Sequence, residues 1–196
     1  MKFKDLKIEL SKIKNFQNVK YKLEQYLTPP DLAAHVIYTI HTVYDDIQNK
    51  KILDLCCGTG MLSAACEFFN PGFLVGVDID SEALEIYKEN LNYSYDLIKA
   101  DFNELNFPDQ FFDVVIMNPP FGTKIKHQDV KALDKALSIG KVVYSMHKTS
   151  TREFLLKKYK GAKVIAEMKY DLPRTYDFHK KKTKTIEVDF IRFTKK

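Results

Sequence analysis

The 196-residue chain has only three cysteines, Cys56, Cys57 and Cys66, and two of them are neighbours. Thiols so placed cannot build a disulfide framework, and no Cys-x-x-Cys pair recurs to hold a structural zinc. Unpaired thiols suit a reducing compartment. Nowhere is there an apolar run of about 18 residues to cross a bilayer. The opening Met1-Lys-Phe-Lys-Asp-Leu-Lys7 also lacks the apolar core of a signal peptide. Internal repeats and low-complexity linkers are absent. These absences point to a soluble intracellular protein, away from membranes and secretion.

What remains is enough for a core: 45% of residues are hydrophobic and 13% aromatic. The length fits one domain spanning 1–196. The net charge of +5 hides an asymmetry. Residues 1–120 carry 11 basic and 18 acidic side chains, net −7, whereas residues 121–196 carry 20 and 8, net +12. A basic back half suits a polyanionic partner, although a solvated lysine-rich surface has the same composition.

Apolar residues recur at helical spacing over Phe3, Leu6, Leu10 and Ile13, and again over Leu32, Val36, Ile37, Ile40 and Val43. Between them Pro29-Pro30 stops one element, and Asp31 is placed to cap the next. From Lys51 the pattern changes to alternating short strands and helices. Strands are predicted at 51–56, 73–78, 97–100, 112–117, 141–145, 164–168 and 186–193. Helices are predicted up to Phe69, from a capped start at Ser81, over 130–137 and over 151–159. The spacing predicts an α/β, Rossmann-like fold: a mostly parallel seven-stranded sheet with an antiparallel end strand and helices on both faces. Residues 1–48 would form an N-terminal helical lid on a core of 49–196.

Two features bear chemistry. The first is Asp54-Leu-Cys-Cys-Gly-Thr-Gly60, at the end of the first strand, where open α/β sheets bind ligands. Gly58 and Gly60 permit positive φ and close backbone approach. Asp78 ends the second strand, where a carboxylate grips ribose hydroxyls. No Lys-Ser/Thr follows the glycines, which excludes a phosphate-cradling P-loop. Two glycines fall short of the three of a dinucleotide site. A tight structural turn would look the same, and Asp78 tilts the reading towards a ligand.

The second feature is Asn118-Pro-Pro-Phe121, directly after the fourth strand. Consecutive prolines stiffen the backbone and fix the Asn118 carboxamide at the carboxyl edge of the sheet. A planar amino group conjugated to a ring is a poor nucleophile. The Asn118 side-chain oxygen and the Pro119 carbonyl can accept both its N–H groups and favour a more pyramidal nitrogen. Phe121 can stack on the ring so presented. No strong base is needed, because the proton can leave after the nitrogen becomes cationic. Orientation and placed dipoles would carry the reaction.

These residues resemble those of class I S-adenosylmethionine-dependent methyltransferases that modify exocyclic or amide nitrogens. The likeness extends to Glu24-Gln-Tyr-Leu-Thr28, Tyr38-Thr-Ile-His41 with Tyr44-Asp-Asp-Ile47, Asn118-Pro-Pro-Phe-Gly-Thr-Lys124, His147-Lys-x-Ser150-Thr-Arg-Glu153, Tyr170-Asp-Leu-Pro173, Phe178-His-Lys-Lys-Lys182 and Ile186-Glu-Val-Asp189. In that order the chain resembles the methyltransferase-like protein 5 family over nearly its whole length. Those are N6-adenosine methyltransferases of small-subunit (18S) ribosomal RNA.

The resemblance implies S-adenosyl-L-methionine as cofactor. Gln25 and Thr28 would close over its methionine end, with Cys56, Gly58 and Thr59 along it. Asp78 would hold the ribose, and Asp101 and Phe102 would flank its adenine. Asn118, Pro119, Pro120 and Phe121 would hold the target base. Cys56 stands where the family usually has glycine, a change expected to be tolerated if the backbone there is extended.

A buried base must leave its duplex to react, so the target is single-stranded or extruded. Lys124, Lys126, Lys148, Arg152, His179 and Lys180-Lys181-Lys182 are the candidates for holding RNA phosphate. Singly each suits a solvated surface, and the +12 half favours RNA for the group. His147 and His179 are expected to make hydrogen bonds or phosphate contacts, not to bind metal. The third strand should lie at a sheet edge. The family implies a heterodimer there with a small zinc-binding activator, through Tyr93, Tyr95, Leu97 and Ile98; a free edge guarded by Asp96 and Lys99 is the alternative. The implied location is cytoplasmic, nuclear or nucleolar. Two other functions fit the Asn-Pro-Pro corner: a protein glutamine N5 methyltransferase, and an RNA-binding ribosome assembly factor without turnover.

Overall fold

A computed structural model describes residues 2–91, 96–122, 127–173 and 183–195. The two N-terminal apolar series form α1 (Phe3–Leu10) and α2 (Pro30–Tyr44). Pro29 precedes α2 in an extended conformation (φ −56°, ψ 138°), and Pro30 takes its first position. A missing N–H is harmless there, since that group has no partner in a helix. Asp31 therefore lies two residues past the capping position. It pairs instead with Lys7 of α1 at 2.8 Å.

The alternating region gives β1 (Lys51–Leu55), α3 (Met61–Glu67), β2 (Phe73–Asp78), α4 (Ser81–Asn90), β3 (Asp96–Lys99), β4 (Phe112–Met117), α5 (Gln128–Ile139), β5 (Gly140–Lys148), α6 (Arg152–Lys158), β6 (Ala162–Pro173) and β7 (Thr183–Thr194). The cap of α4 is Asp80, not Ser81: its carboxylate accepts the Glu82 N–H at 3.1 Å. The strands form one seven-stranded sheet in the order β3-β2-β1-β4-β5-β7-β6. β1 to β5 are parallel, and β7 runs antiparallel to both β5 and β6. The sheet order reverses between β1 and β4, so their carboxyl ends open a crevice.

Successive strand residues face opposite layers. Ile52, Leu74, Val114 and Ile116 pack under α1 to α4, while Leu53, Leu55, Val75, Val115 and Met117 pack under α5 and α6. The helices thus cover both faces, as predicted. β6 and β7 stay paired beyond the end of β5, whose last partner is Val188 opposite Lys148. No helix among the described residues is long and apolar enough to cross a membrane.

Arg152 has a different task from the one expected. Its guanidinium grips Asp189 with two bonds of 2.7 and 2.6 Å, and it also meets Glu167 at 3.0 Å. Asp189 is fully buried, so the pair fixes α6 onto β7 and engages the guanidinium with carboxylates. Arg152→Ala would leave that carboxylate buried without its cation. The melting temperature should fall far more than for Lys141→Ala, which breaks an exposed 2.7 Å pair with Asp113. Thermal scans of the two variants check this.

Candidate active site

The carboxyl ends of β1, β2 and β4, the turn after β3 and the segment before α2 enclose a cleft of about 220 Å³. Asp54, Cys56, Gly58, Thr59 and Asp78 line one side. Gln25, Thr28, Asp101, Phe102, Asn118 and Pro120 line the same cleft. Every described residue expected at the cofactor lines this cleft except Gly60. Gly60 works from behind: its φ is +88°, and an added Cβ would come within 2.7 Å of the Tyr87 ring. It lets the turn tuck against α4.

The backbone at Cys56 is not extended. Its φ is +61°, in the left-handed region that it shares with Gly58. An L residue there costs roughly 1–2 kcal/mol, so the tolerance expected of an extended backbone does not apply. The neighbouring Cys57 N–H donates to the Val77 carbonyl at 3.0 Å and clamps the turn to β2. Burial raises both the Cys56 and the Cys57 pKa well above the usual thiol value, so both remain thiols at neutral pH.

Two carboxylates shape the cleft. Asp78 accepts the Gly58 N–H at 2.8 Å on one oxygen and the Asp80 N–H at 2.9 Å on the other. Burial raises its pKa, and these backbone donors oppose that. Asp54 is deeper, only 1% exposed. Its Oδ2 takes both the Ser63 N–H (3.1 Å) and the Ser63 hydroxyl (2.7 Å). Its Oδ1 has no hydrogen-bond partner, and burial pushes the pKa up to about 7. Thr59 Oγ1 is also buried without one.

These orphaned atoms test the cofactor that the resemblance implies. A buried carboxylate oxygen and a hydroxyl, both in the cleft wall, await a donor. The α-ammonium of S-adenosyl-L-methionine is such a donor, and the Asp78 carboxylate suits its ribose hydroxyls. The residues present fit the group.

Gln25 lines the cleft, but its amide is engaged elsewhere: Nε2 donates to Asp80 at 2.7 Å and Oε1 accepts the Lys20 N–H at 2.8 Å. Lys20 Nζ in turn pairs with Asp80 and with Glu82. These contacts tie the segment to the cap of α4. Neither Lys20 nor Asp80 was legible from spacing. Asn118 Nδ2 donates to Thr28 Oγ1 at 2.9 Å, and Asn118 Oδ1 accepts the Tyr26 hydroxyl at 3.3 Å. Phe121 is 9% exposed, with the Tyr26 ring centroid 5.4 Å away and Lys148 Nζ 5.7 Å from its own centroid. Tyr26 is the residue that sequence reasoning missed. Its signal was available, an aromatic inside Glu24–Thr28, between the two residues singled out.

Lys148 is therefore the cation that the structure brings to the acceptor corner. Lys124, Lys126, His179, Lys180, Lys181 and Lys182, like Tyr93 and Tyr95, lie outside the described residues. His147 is fully buried, with Nε2 2.8 Å from Ser145 Oγ and Nδ1 3.5 Å from Asp129, so it bonds internally and reaches no phosphate. Among the described residues no group of His, Cys, Asp or Glu could hold a metal ion.

A family model for a methyltransferase domain matches residues 52–141. The chain is similar to the rRNA N(6)-adenosine-methyltransferase METTL5 of Danio rerio, at 45% identity over 99% of each chain. It is also similar to the rRNA N(6)-adenosine-methyltransferase Mettl5 of Drosophila melanogaster, at 39% over 98% of this chain and 96% of that one. Among solved structures, one described as a candidate RNA methyltransferase from Pyrococcus horikoshii superposes with a TM-score of 0.87 at 37% identity, covering 100% of this chain and 98% of that one.

Proposed function

The chain belongs to the METTL5 family of rRNA N(6)-adenosine-methyltransferases, and from that premise we propose that it methylates N6 of one adenosine in small-subunit (18S) ribosomal RNA. It is an S-adenosyl-L-methionine-dependent enzyme. The observation that carries the reading is the convergence of Asn118 with the cleft of Asp54 and Asp78.

When bound, S-adenosyl-L-methionine supplies an electrophilic methyl carbon on a sulfonium. The chain's own residues do the rest. Asp54 and Thr59 hold the amino-acid end through the atoms they now leave open. Asp78 holds the ribose, with Asp101 and Phe102 beside the adenine. Asn118 Oδ1 and the Pro119 carbonyl accept the two N–H groups of the target amine. That aims its lone pair along the cleft and stabilises the positive charge that grows on nitrogen. Pro119 and Pro120 prevent the corner from relaxing, and Phe121 supports the ring. Of residues 1–48, the stretch around Gln25–Thr28 covers the cleft, fastened to α4 and to Asn118, while α1 and α2 are packed in the core as part of the helix layer.

RNA phosphates are held by Lys148, which stands beside Phe121, and by Lys180, Lys181 and Lys182, with Lys124, Lys126 and His179 adding charge. Replacing Lys180, Lys181 and Lys182 with alanine should weaken RNA binding and flatten its salt dependence by up to about three charges' worth of slope. A titration between low and physiological salt measures it. β3 closes the sheet with its outer side unpaired among the described residues. An exposed edge of this kind accepts a strand from another chain. This supports a heterodimer with a small zinc-binding activator, with Leu97 and Ile98 in the contact.

Mass spectrometry of small-subunit rRNA nucleosides from cells lacking the protein tests the function. One N6-methyladenosine should disappear. An unchanged nucleoside profile, together with methylation of a protein acceptor in vitro, would overturn the reading in favour of glutamine N5 transfer.

A further inference from the structure

One contact at the acceptor corner has no part in the scheme above. Tyr26 reaches across the cleft and donates its hydroxyl to Asn118 Oδ1 at 3.3 Å. That is the oxygen the target amino group requires. The Tyr26 ring also lies against Phe121, centroids 5.4 Å apart and planes inclined by 32°. A donor on Asn118 and a ring on Phe121 are the two features expected of the bound adenine itself.

The spacing decides how both can be accommodated. A base in contact with two rings needs them about 7 Å apart, twice a carbon–carbon contact of about 3.5 Å. At 5.4 Å the slot is shut. Opening it does not require the lid to lift. The backbone is anchored on either side of Tyr26, by Gln25 on Asp80 at 2.7 Å and by Thr28 on Asn118 at 2.9 Å. Tyr26 itself is half-buried, and opening the slot asks only that its side chain turn while those anchors hold.

We infer that Tyr26 is a place-holder for the target adenine: its hydroxyl occupies Asn118 Oδ1 until RNA arrives, and the entering base takes that oxygen and slots between the Tyr26 and Phe121 rings. This rests on Asn118–Phe121 being the adenine site. The hydroxyl then opposes base entry while the ring assists it. Because a 3.3 Å O–H···O contact is long, the opposing part is the smaller one.

Two variants separate these parts. Tyr26→Phe removes the hydroxyl and keeps the ring; Tyr26→Leu keeps bulk and removes the ring. Each is assayed with the full chain and its activator for methylation of an rRNA fragment. Each is also titrated, without cofactor, with the same fragment carrying 8-vinyladenosine at the target position, which keeps the N6 amino group and whose fluorescence is quenched by stacking. Tyr26→Phe should lower KM for RNA by about twofold to fivefold with kcat unchanged. Tyr26→Leu should raise KM by about tenfold or more and leave the 8-vinyladenosine bright. Opposite signs are what a merely structural tyrosine would not produce. Equal losses in both variants, or no change in either, would overturn the inference. If the wild-type protein methylates no adenosine at all, the fault lies with the activity; if it does and Tyr26→Phe behaves as wild type, it lies with the place-holder.

Discussion

Asn118→Ala should lower the rate of methyl transfer by a hundredfold to a thousandfold, the loss usual when one positioned hydrogen-bonding group is removed from a developing charge. RNA affinity should change by less than about threefold, because phosphate contacts supply most of it. The side chain is half-buried and its two partners are Tyr26 and Thr28, so the variant should fold. Single-turnover methylation alongside filter binding separates the two quantities. Loss of RNA binding with intact chemistry would make Asn118 a structural residue and remove the basis of the mechanism.

The second large effect is on cofactor binding as pH changes. Asp54 has its pKa pushed up to about 7 by burial, with the Ser63 bonds opposing. The folded protein therefore keeps a proton that the unfolded chain has already released above the ordinary carboxylate pKa of 3.8. Stability from this group is complete in acid and is lost as pH rises towards about 7. Cofactor works the other way. An ammonium against Asp54 Oδ1 favours the carboxylate, so binding must expel the proton. Affinity for S-adenosyl-L-methionine should fall roughly tenfold per unit of pH below 7. Above about pH 8 it should fall again, as the cofactor's α-amino group loses its own proton. Calorimetry in two buffers of different ionisation enthalpy would show proton release near pH 6. Asp54→Asn should bind weakly at every pH and lose the acid limb. An unaltered acid limb in that variant would move the titration to another group.

The strands were the most legible part of the sequence. Phe112–Met117 was bounded correctly at both ends, because a buried central strand is an unbroken apolar run between polar turns. The cleft residues on β1, β2 and β4 were legible for the same reason, since strand ends fix where their successors point. Less legible was anything decided by a distant partner. Arg152 reads as a surface cation until β7 brings Asp189 to it. Asp31 and Ser81 look like caps until Pro29 and Asp80 take those positions. Cys56 was expected to be extended because its side chain says nothing of φ. Tyr26 was missed because its partner lies 92 residues away.

Five residue pairs of the terminal hairpin, from Lys169 opposite Glu187 to Pro173 opposite Thr183, continue past the last partner of β5. At about 3.3 Å per residue this two-stranded arm rises roughly 16 Å above the catalytic rim. Stacked nucleotides advance about 3.4 Å each, so the arm matches some five of them. An RNA that follows the arm would have its footprint set by a strand length, and trimming the hairpin by matched pairs, read against oligonucleotides of graded length, tests that.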